Sequence, residues 1–413
     1  MPRLLNINAY HYRRGGSDAA YLEHGALFEA AGWQSGWFAM HHPMNEATPW
    51  SHYFVDEIEL GHRYSLARKL AIAGQVIHAP AHRRSMARLL DDFPADVAHV
   101  HLIQHHIAPT ILTELKRRRV PIVHTAHSLK LLCPSQRMHD GQAICERCRP
   151  HAVWHCAARR CMHGSLPLSL LVTAESAAHR ITGAYREAID RVVCPSRFYL
   201  EKHVEWGWPR EKLVYIPNDF TVPPLREVPA PGDYLCYFGR LSFEKGLATL
   251  IRAVAMAGMP LALVGEGPQE QALRVLAAEV GVRVTFHGRL SGEALFQVVR
   301  GARACVLPSE WYENAPKSVL EAFGLGKTVV GADIGGISEL IVPGQTGWLF
   351  ESGSVAALAT TLARVRDTPD EVLVQMGGDA AAFARRAFST DLYLRRMRAL
   401  YAELGVSDGA SIG

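Results

Sequence analysis

The sequence predicts an α/β protein built from two parallel-sheet domains. Three observations carry this: short apolar runs alternate with longer helical stretches, the alternation restarts after a proline-rich break, and 413 residues with 48% hydrophobic content suit two domains that each bury a core. The first set of strands is expected at residues 4–9, 96–101, 121–124 and 191–194. The second is expected at 234–238, 261–264, 284–286, 304–307 and 328–330. Between the sets, Pro217 and the prolines from Val222-Pro223-Pro224 to Pro231-Gly232 read as a linker. The chain therefore divides into 1–217, a linker 218–232, a second domain 233–390, and a last helical segment within 391–413 whose end, 408–413, reads as a frayed tail.

No apolar run approaches the roughly 20 residues needed to span a bilayer, and Met1-Pro2-Arg3-Leu4-Leu5-Asn6 enters a strand without an apolar leader. A cytoplasmic protein is expected, free or held on the inner face of the plasma membrane. Eight cysteines without an export signal point to reduced thiols or a metal rather than disulfides.

The most informative stretch is Pro308-Ser309-Glu310-Trp311-Tyr312-Glu313-Asn314-Ala315-Pro316-Lys317-Ser318-Val319-Leu320-Glu321-Ala322-Phe323-Gly324. Pro316 suits a first helical position, where a missing N–H costs nothing, and Gly324 and Gly326 supply the stop before the next strand. Glu313 then lies in the loop and Glu321 inside the helix. The free N–H groups of the first turn form a site for phosphate, and Glu321 is placed to accept a hydroxyl. A solvated surface helix would show the same spacing.

Upstream, Tyr237-Phe238-Gly239-Arg240-Leu241-Ser242-Phe243-Glu244-Lys245-Gly246 ends a strand in glycine and follows it with two cations. Arg240 offers a planar fork and Lys245 a mobile point charge, a pair suited to a diphosphate that gains charge as its bond to a sugar breaks. Two exposed cations after a strand are the plain alternative. A dinucleotide fingerprint is absent, because the first strand is followed by Tyr10-His11-Tyr12-Arg13-Arg14-Gly15-Gly16, with its glycine pair six residues on and no tight turn. That pair allows close backbone approach to a ligand, or is a flexible loop.

With these segments in hand, the chain resembles the retaining glycosyltransferases of family 4, which have the GT-B architecture of two Rossmann-like domains facing across a cleft. The resemblance runs from about residue 3 to about residue 400. Glu313 and Glu321 match the family's paired glutamates, Arg240 and Lys245 its diphosphate-binding cations, Gly15-Gly16 its glycine pair, and His127 in His124-Thr125-Ala126-His127 the histidine beside the donor sugar. Asn218-Asp219 departs from the usual Asn-Gly before the linker. The resemblance implies a nucleotide-diphosphate sugar as donor, with Glu313 holding sugar hydroxyls, Glu321 the ribose, Asn314, Ala315, Pro316, Lys317 and Ser318 the sugar and phosphates, and Leu290 of His287-Gly288-Arg289-Leu290 the nucleobase. It also implies a last helix that crosses back to the first domain.

Retention is implied by the family too. A front-face route would let the leaving phosphate oxygen take the acceptor's proton while Arg240, Lys245 and the helix N-terminus stabilise the departing diphosphate. No metal cofactor is expected for that chemistry, and no Asp-x-Asp motif is evident.

The net charge of +4 hides an asymmetry: residues 1–225 carry 26 Lys and Arg against 20 Asp and Glu, and residues 101–165 carry 10 against 3. Lys116-Arg117-Arg118-Arg119, Arg147, Arg149, Arg159 and Arg160 contribute, and such a surplus favours an anionic partner, with a membrane surface and a lipid-linked or glycan acceptor expected. Nucleic acid is not expected, since no aromatic ladder or recognition helix accompanies the charge. Within the same region Cys145-Glu146-Arg147-Cys148, Cys156 and Cys161 have spacings that suit a structural zinc, with His139, His151, His155 and His163 as substitutes, or are reduced thiols in a loop. Similar cysteine-rich insertions occur in a subset of family 4 enzymes of bacterial exopolysaccharide or capsule assembly. The competing readings are a catalytically silent GT-B scaffold, a basic zinc-knuckle binding protein and a nucleotide-sugar epimerase.

Overall fold

The computed structural model describes residues 1–58, 66–150 and 152–406. His151, one substitute zinc ligand, and the tail at 408–413 lie outside the described residues.

The chain forms two units, one of Met1–Ile216 joined by the chain from Leu394 onward, the other of Pro217–Tyr393. The strands of the first unit are β1 (Arg3–Ile7), β2 (Gln34–Phe38), β3 (Val97–Val100), β4 (Ile122–Thr125), β5 (Arg191–Cys194) and β6 (Leu213–Tyr215). They pair in the order β2-β1-β3-β4-β5-β6, every pair parallel. The second unit holds β7 (Leu235–Phe238), β8 (Leu261–Val264), β9 (Val284–Phe286), β10 (Ala304–Leu307), β11 (Val329–Ala332) and β12 (Gly347–Phe350), in the parallel order β12-β11-β10-β7-β8-β9. Central strands such as Leu-Cys-Tyr-Phe in β7 and Ala-Cys-Val-Leu in β10 are buried along their whole length. Helices cover both faces of a parallel sheet, so apolar residues run continuously instead of alternating.

Three strands escaped the sequence reading, each for a physical reason. β2 lies at an edge and reads Gln-Ser-Gly-Trp-Phe; its Gly36 admits the Phe93 ring, which would stand 2.8 Å from a Cβ. β6 has three residues at the other edge. β12 opens on Gly347, where a Cβ would stand 2.0 Å from the Val329 carbonyl oxygen, so the strand begins at a residue that reads as a turn.

The helix Thr390–Glu403 carries the chain from one unit to the other. Within the first unit Tyr401 is fully buried, packs on Phe28 and Trp33, and binds His24 Nε2 at 3.0 Å and His99 Nδ1 at 2.6 Å. No helix among the described residues is long and apolar enough to cross a membrane.

Candidate functional site

Three backbone turns at strand ends build the site in the second unit. β7 ends at Phe238, and Gly239 at φ +150° turns the chain into Arg240, whose side chain is exposed. Gly265, after β8, approaches so closely that a Cβ there would lie 1.9 Å from the Gly239 carbonyl oxygen. On Gly267 a Cβ would lie 2.2 Å from the Leu241 oxygen. Only glycine permits these approaches. The Leu241 N–H donates to Glu266 O at 2.9 Å, the Gln269 N–H to Leu241 O at 3.0 Å, and the Gly265 N–H to Gly288 O at 2.7 Å. Thus the segment His287–Leu290 meets the other two turns through Gly288, while Leu290 itself packs partly buried on the core.

Lys245 ends the 3₁₀ turn Phe243–Lys245, and Gly246 follows at φ +67°. A Cβ on Gly246 would sit 2.0 Å from the Pro308 carbonyl oxygen, a contact that brings the turn against the loop after β10. There Lys245 Nζ donates to Glu313 Oε1 at 2.6 Å, and Ser309 Oγ donates to the same oxygen at 2.6 Å. The Trp311 ring lies 5.1 Å from the ammonium. Behind Glu313 the chain turns at Gly335, φ +60°, where a Cβ would stand 2.5 Å from the Glu313 carbonyl oxygen, and the Gly336 N–H donates to that oxygen at 2.8 Å.

Glu313 is 6% exposed. Burial pushes its carboxyl up, but the Lys245 charge and hydrogen bonds from Lys245 and Ser309 outweigh burial and hold it below its ordinary value. The pair is therefore charged, and an ammonium has two further N–H donors beyond the one given to Glu313.

The helix Lys317–Gly324 follows the loop, with Pro316 as its N-cap residue at ψ 116°. This corrects the expected register by one: Pro316 precedes the helix instead of opening it, because its extended ψ is not yet helical. The stop falls at Gly324, with Gly326 at φ +75° beyond it. Ala315 is buried and its carbonyl accepts from Asn218 Nδ2 at 3.2 Å. Lys317 stands 3.9 Å from Asp219, which also accepts from Thr390 Oγ1 at 3.1 Å. The departure Asn218-Asp219 thus has its own partners. Asn314, Ser318 and Glu321 are half-buried along the same loop and helix.

The remaining expected residues belong to the first unit. Gly15 is the extended N-cap of the helix Gly16–Ala30, and both glycines are exposed. Asn8 Nδ2 donates to Asp18 in the first turn at 2.9 Å. His127 follows β4, half-buried, with its Nε2 2.9 Å from His101 Nδ1 and the two rings stacked. His101, His99 and His24 are buried, and their ligating atoms lie within 4.8 Å of one another, a metal-capable group among the described residues that the sequence reading did not single out. Burial, reinforced for His99 and His101 by neighbouring imidazoles, keeps all three neutral at ordinary pH.

The cysteines cluster as well. The Cys156 thiol hydrogen-bonds Cys161, which raises the former and lowers the latter. Cys148, pushed up to about 12 by burial, also feels Cys133, Cys161 and Cys145. Among the described residues, the ligating atoms that come within 4.8 Å of one another in a group of three are those of His24, His99 and His101, not those of the thiols.

The sequence reading missed Ser309, Glu310, Trp311, Gly265, Gly267 and Gly335. Glu310 accepts from Thr249 Oγ1 at 2.5 Å, and its N–H donates to Glu244 O at 2.9 Å. The available signal was Gly265-Glu266-Gly267 placed directly after an apolar strand.

Sequence profiles of two kinds match this chain: "Glycosyl transferases group 1" over residues 226–381 and "Glycosyl transferase 4-like domain" over residues 45–219. The chain is 29% identical over 307 residues to the D-inositol 3-phosphate glycosyltransferase of Corynebacterium efficiens, a match covering 69% of this chain and 66% of that protein. Its fold is similar to sucrose-phosphate synthase of Thermosynechococcus elongatus, with TM-score 0.69, 19% identity, and 98% and 99% of the two chains covered. It is also similar to Anabaena HepE in complex with UDP and glucose, with TM-score 0.68, 16% identity, and 97% and 100% covered.

Proposed function

The chain belongs to the group 1, family 4-like glycosyltransferases of GT-B fold, and from that premise we propose that it moves a sugar from a nucleoside-diphosphate sugar to an acceptor with retention of configuration. The observation that carries this reading is the ion pair of half-buried Lys245 with buried Glu313, framed by Ser309 and Trp311. Lys245 would turn its remaining donors to the diphosphate, and Glu313, already ionised, would accept sugar hydroxyls. Arg240 would add a bidentate contact to the leaving group, and the N–H groups at the start of the helix Lys317–Gly324 would face its phosphates. Glu321 would take the ribose, and His127 the departing bond or a sugar hydroxyl. The acceptor's proton would pass to the leaving phosphate oxygen as the glycosidic bond breaks and the new C–O bond forms on the same face.

HepE's complex with UDP and glucose supports a uridine donor. The basic surplus of residues 101–165 supports an anionic acceptor, a lipid-linked glycan at the inner membrane surface. The same reading includes a structural zinc on Cys145, Cys148, Cys156 and Cys161, supported by their spacing and by their being free thiols, and a zinc content of one ion per chain is its test.

The test of function follows nucleoside diphosphate release from a panel of nucleotide sugars, with and without membrane lipid extract, for wild type and Glu313→Ala. Release that requires the extract and disappears in the variant is expected. Donor binding without release under any condition would favour the silent scaffold instead.

A further inference from the structure

A cavity of about 370 Å³ opens in the first unit, walled by Leu132, Val153, Trp206 and Trp208 and flanked by Arg180 and Arg186. It has no member in common with the expected site residues. Its volume is that of on the order of a dozen waters, within the range of small-ligand sites. Its wall sets the apolar Leu131, Leu132, Val153 and two indoles, Trp206 and Trp208, beside two guanidinium groups, so it suits an apolar group joined to an anion. Arg180 supplies charge, because its guanidinium donates to the carbonyls of Pro150 and Leu132, and among the described residues it has no carboxylate partner. Lys130, also in the wall, is neutralised by Glu175 at 2.8 Å. The uncompensated charge is therefore that of the two arginines.

The mouth is marked by Ile181, which lines the cavity yet is 87% exposed. Ile181 ends the helix Leu166–Ile181, whose Leu166 and Leu170 are also exposed, as is Trp154 beside Val153. An exposed apolar side chain, Ile181, set with Arg180 and Arg186 in the cavity lining is the pattern of a surface that meets anionic lipid.

We propose that this cavity takes the apolar chain of an anionic phospholipid, with the phosphate held by Arg180 and Arg186 at the mouth. The inference rests on the reading of a membrane-surface partner, and deepens it by assigning the lipid a place in the chain.

The test uses the full-length protein with phosphatidylcholine vesicles containing phosphatidylglycerol whose acyl chain carries a diazirine, and maps the photolabel by mass spectrometry. Label is expected on residues 131–132, 177–186 and 206–208. Ala177→Phe, which fills the cavity, should abolish that label, and the exposed Arg186→Glu should lower it about tenfold, the loss of one charge-assisted phosphate contact. Thermal melting shows whether each variant is folded, and Arg186→Glu carries the test if Ala177→Phe is not. Label confined to Trp154, Leu166 and Leu170, label of equal yield from diazirine-bearing phosphatidylcholine alone, or full displacement by inorganic phosphate would overturn the proposal. Nucleotide-sugar turnover measured on the same samples separates the two readings: turnover without cavity label sinks this inference alone, whereas label without turnover sinks the transferase reading alone.

Discussion

Twenty of the 21 histidines lie in the first unit and one, His287, in the second, although both units are built on the same six-stranded parallel plan. The first unit buries imidazoles at the ends of its central strands, His99 and His101 at β3 and His124 in β4, and ties them to Tyr401 and Thr125. The second unit has no imidazole in its strands, fills β7 and β10 with apolar residues and cysteine, and sets the ion pair Lys245–Glu313 at the strand ends, with Glu244 and Lys327 also buried. One plan thus supports two interiors, one whose stability depends on imidazoles staying neutral and one that carries no such dependence.

Acid should break this comparison most widely. Burial lowers His24 and His124 to about 3, and His106 and His203 to about 4. A folded pKa below the unfolded 6.5 means that the unfolded chain binds more protons, so the stability from these groups is complete above pH 6.5 and is lost as pH falls towards the folded values. At pH 5 each costs about 2 kcal/mol, against a domain stability on the order of 10 kcal/mol, so a few of them suffice. Glu313, whose value is lowered, withdraws stability only as pH falls below the ordinary carboxylate range. Hydrogen exchange at pH 5 should find the amides of β3 and β4 unprotected while those of β7 and β10 stay protected. Simultaneous loss in both units would contradict the account.

Next in size is Glu313→Ala, which removes the buried carboxylate and leaves the half-buried Lys245 without it. Loss of a buried ion-pair partner costs about 3–5 kcal/mol, and loss of transition-state contacts lowers turnover roughly 10²–10³-fold. Melting and donor release measured together check both, with the expected damage confined to the second unit.

Tyr401→Phe sharpens the contrast from the other side. It removes the hydroxyl between His24 and His99 and should destabilise the first unit by about 1–3 kcal/mol without altering donor binding, as denaturant titration and nucleotide binding would show. Smallest is Thr249→Val, which takes one hydrogen bond from Glu310 and should cost about 1 kcal/mol with turnover nearly unchanged. A hundredfold loss of turnover there would promote Glu310 to a direct role in the reaction.

Central strands were legible because residues such as Leu261–Val264 are apolar throughout, and only a strand covered on both faces tolerates that. Of the edge strands only β9, with Val284 and Phe286, stood out; β2 and β12 did not, since they owe their places to Gly36 and Gly347, whose meaning depends on Phe93 and Val329. In the candidate site Glu313 and Lys245 stood out by chemistry and spacing, 68 residues apart, but their contact did not. It is made by Gly246 and Gly335, each shaped by a carbonyl of a distant loop, and no local pattern encodes that approach. The imidazole cluster was hidden for a similar reason: His24 and His99 meet through Tyr401, 302 positions beyond His99.

The central claim is that Lys245 holds the diphosphate and Glu313 the sugar, and calorimetric titration of wild type, Lys245→Gln and Glu313→Gln with the nucleoside diphosphate and with the intact nucleotide sugar tests it most directly. Lys245→Gln should weaken both ligands, by about tenfold or more for loss of a charged phosphate contact. Glu313→Gln should spare the nucleoside diphosphate and weaken only the sugar-bearing donor. Equal affinities of both ligands for all three proteins would contradict the account.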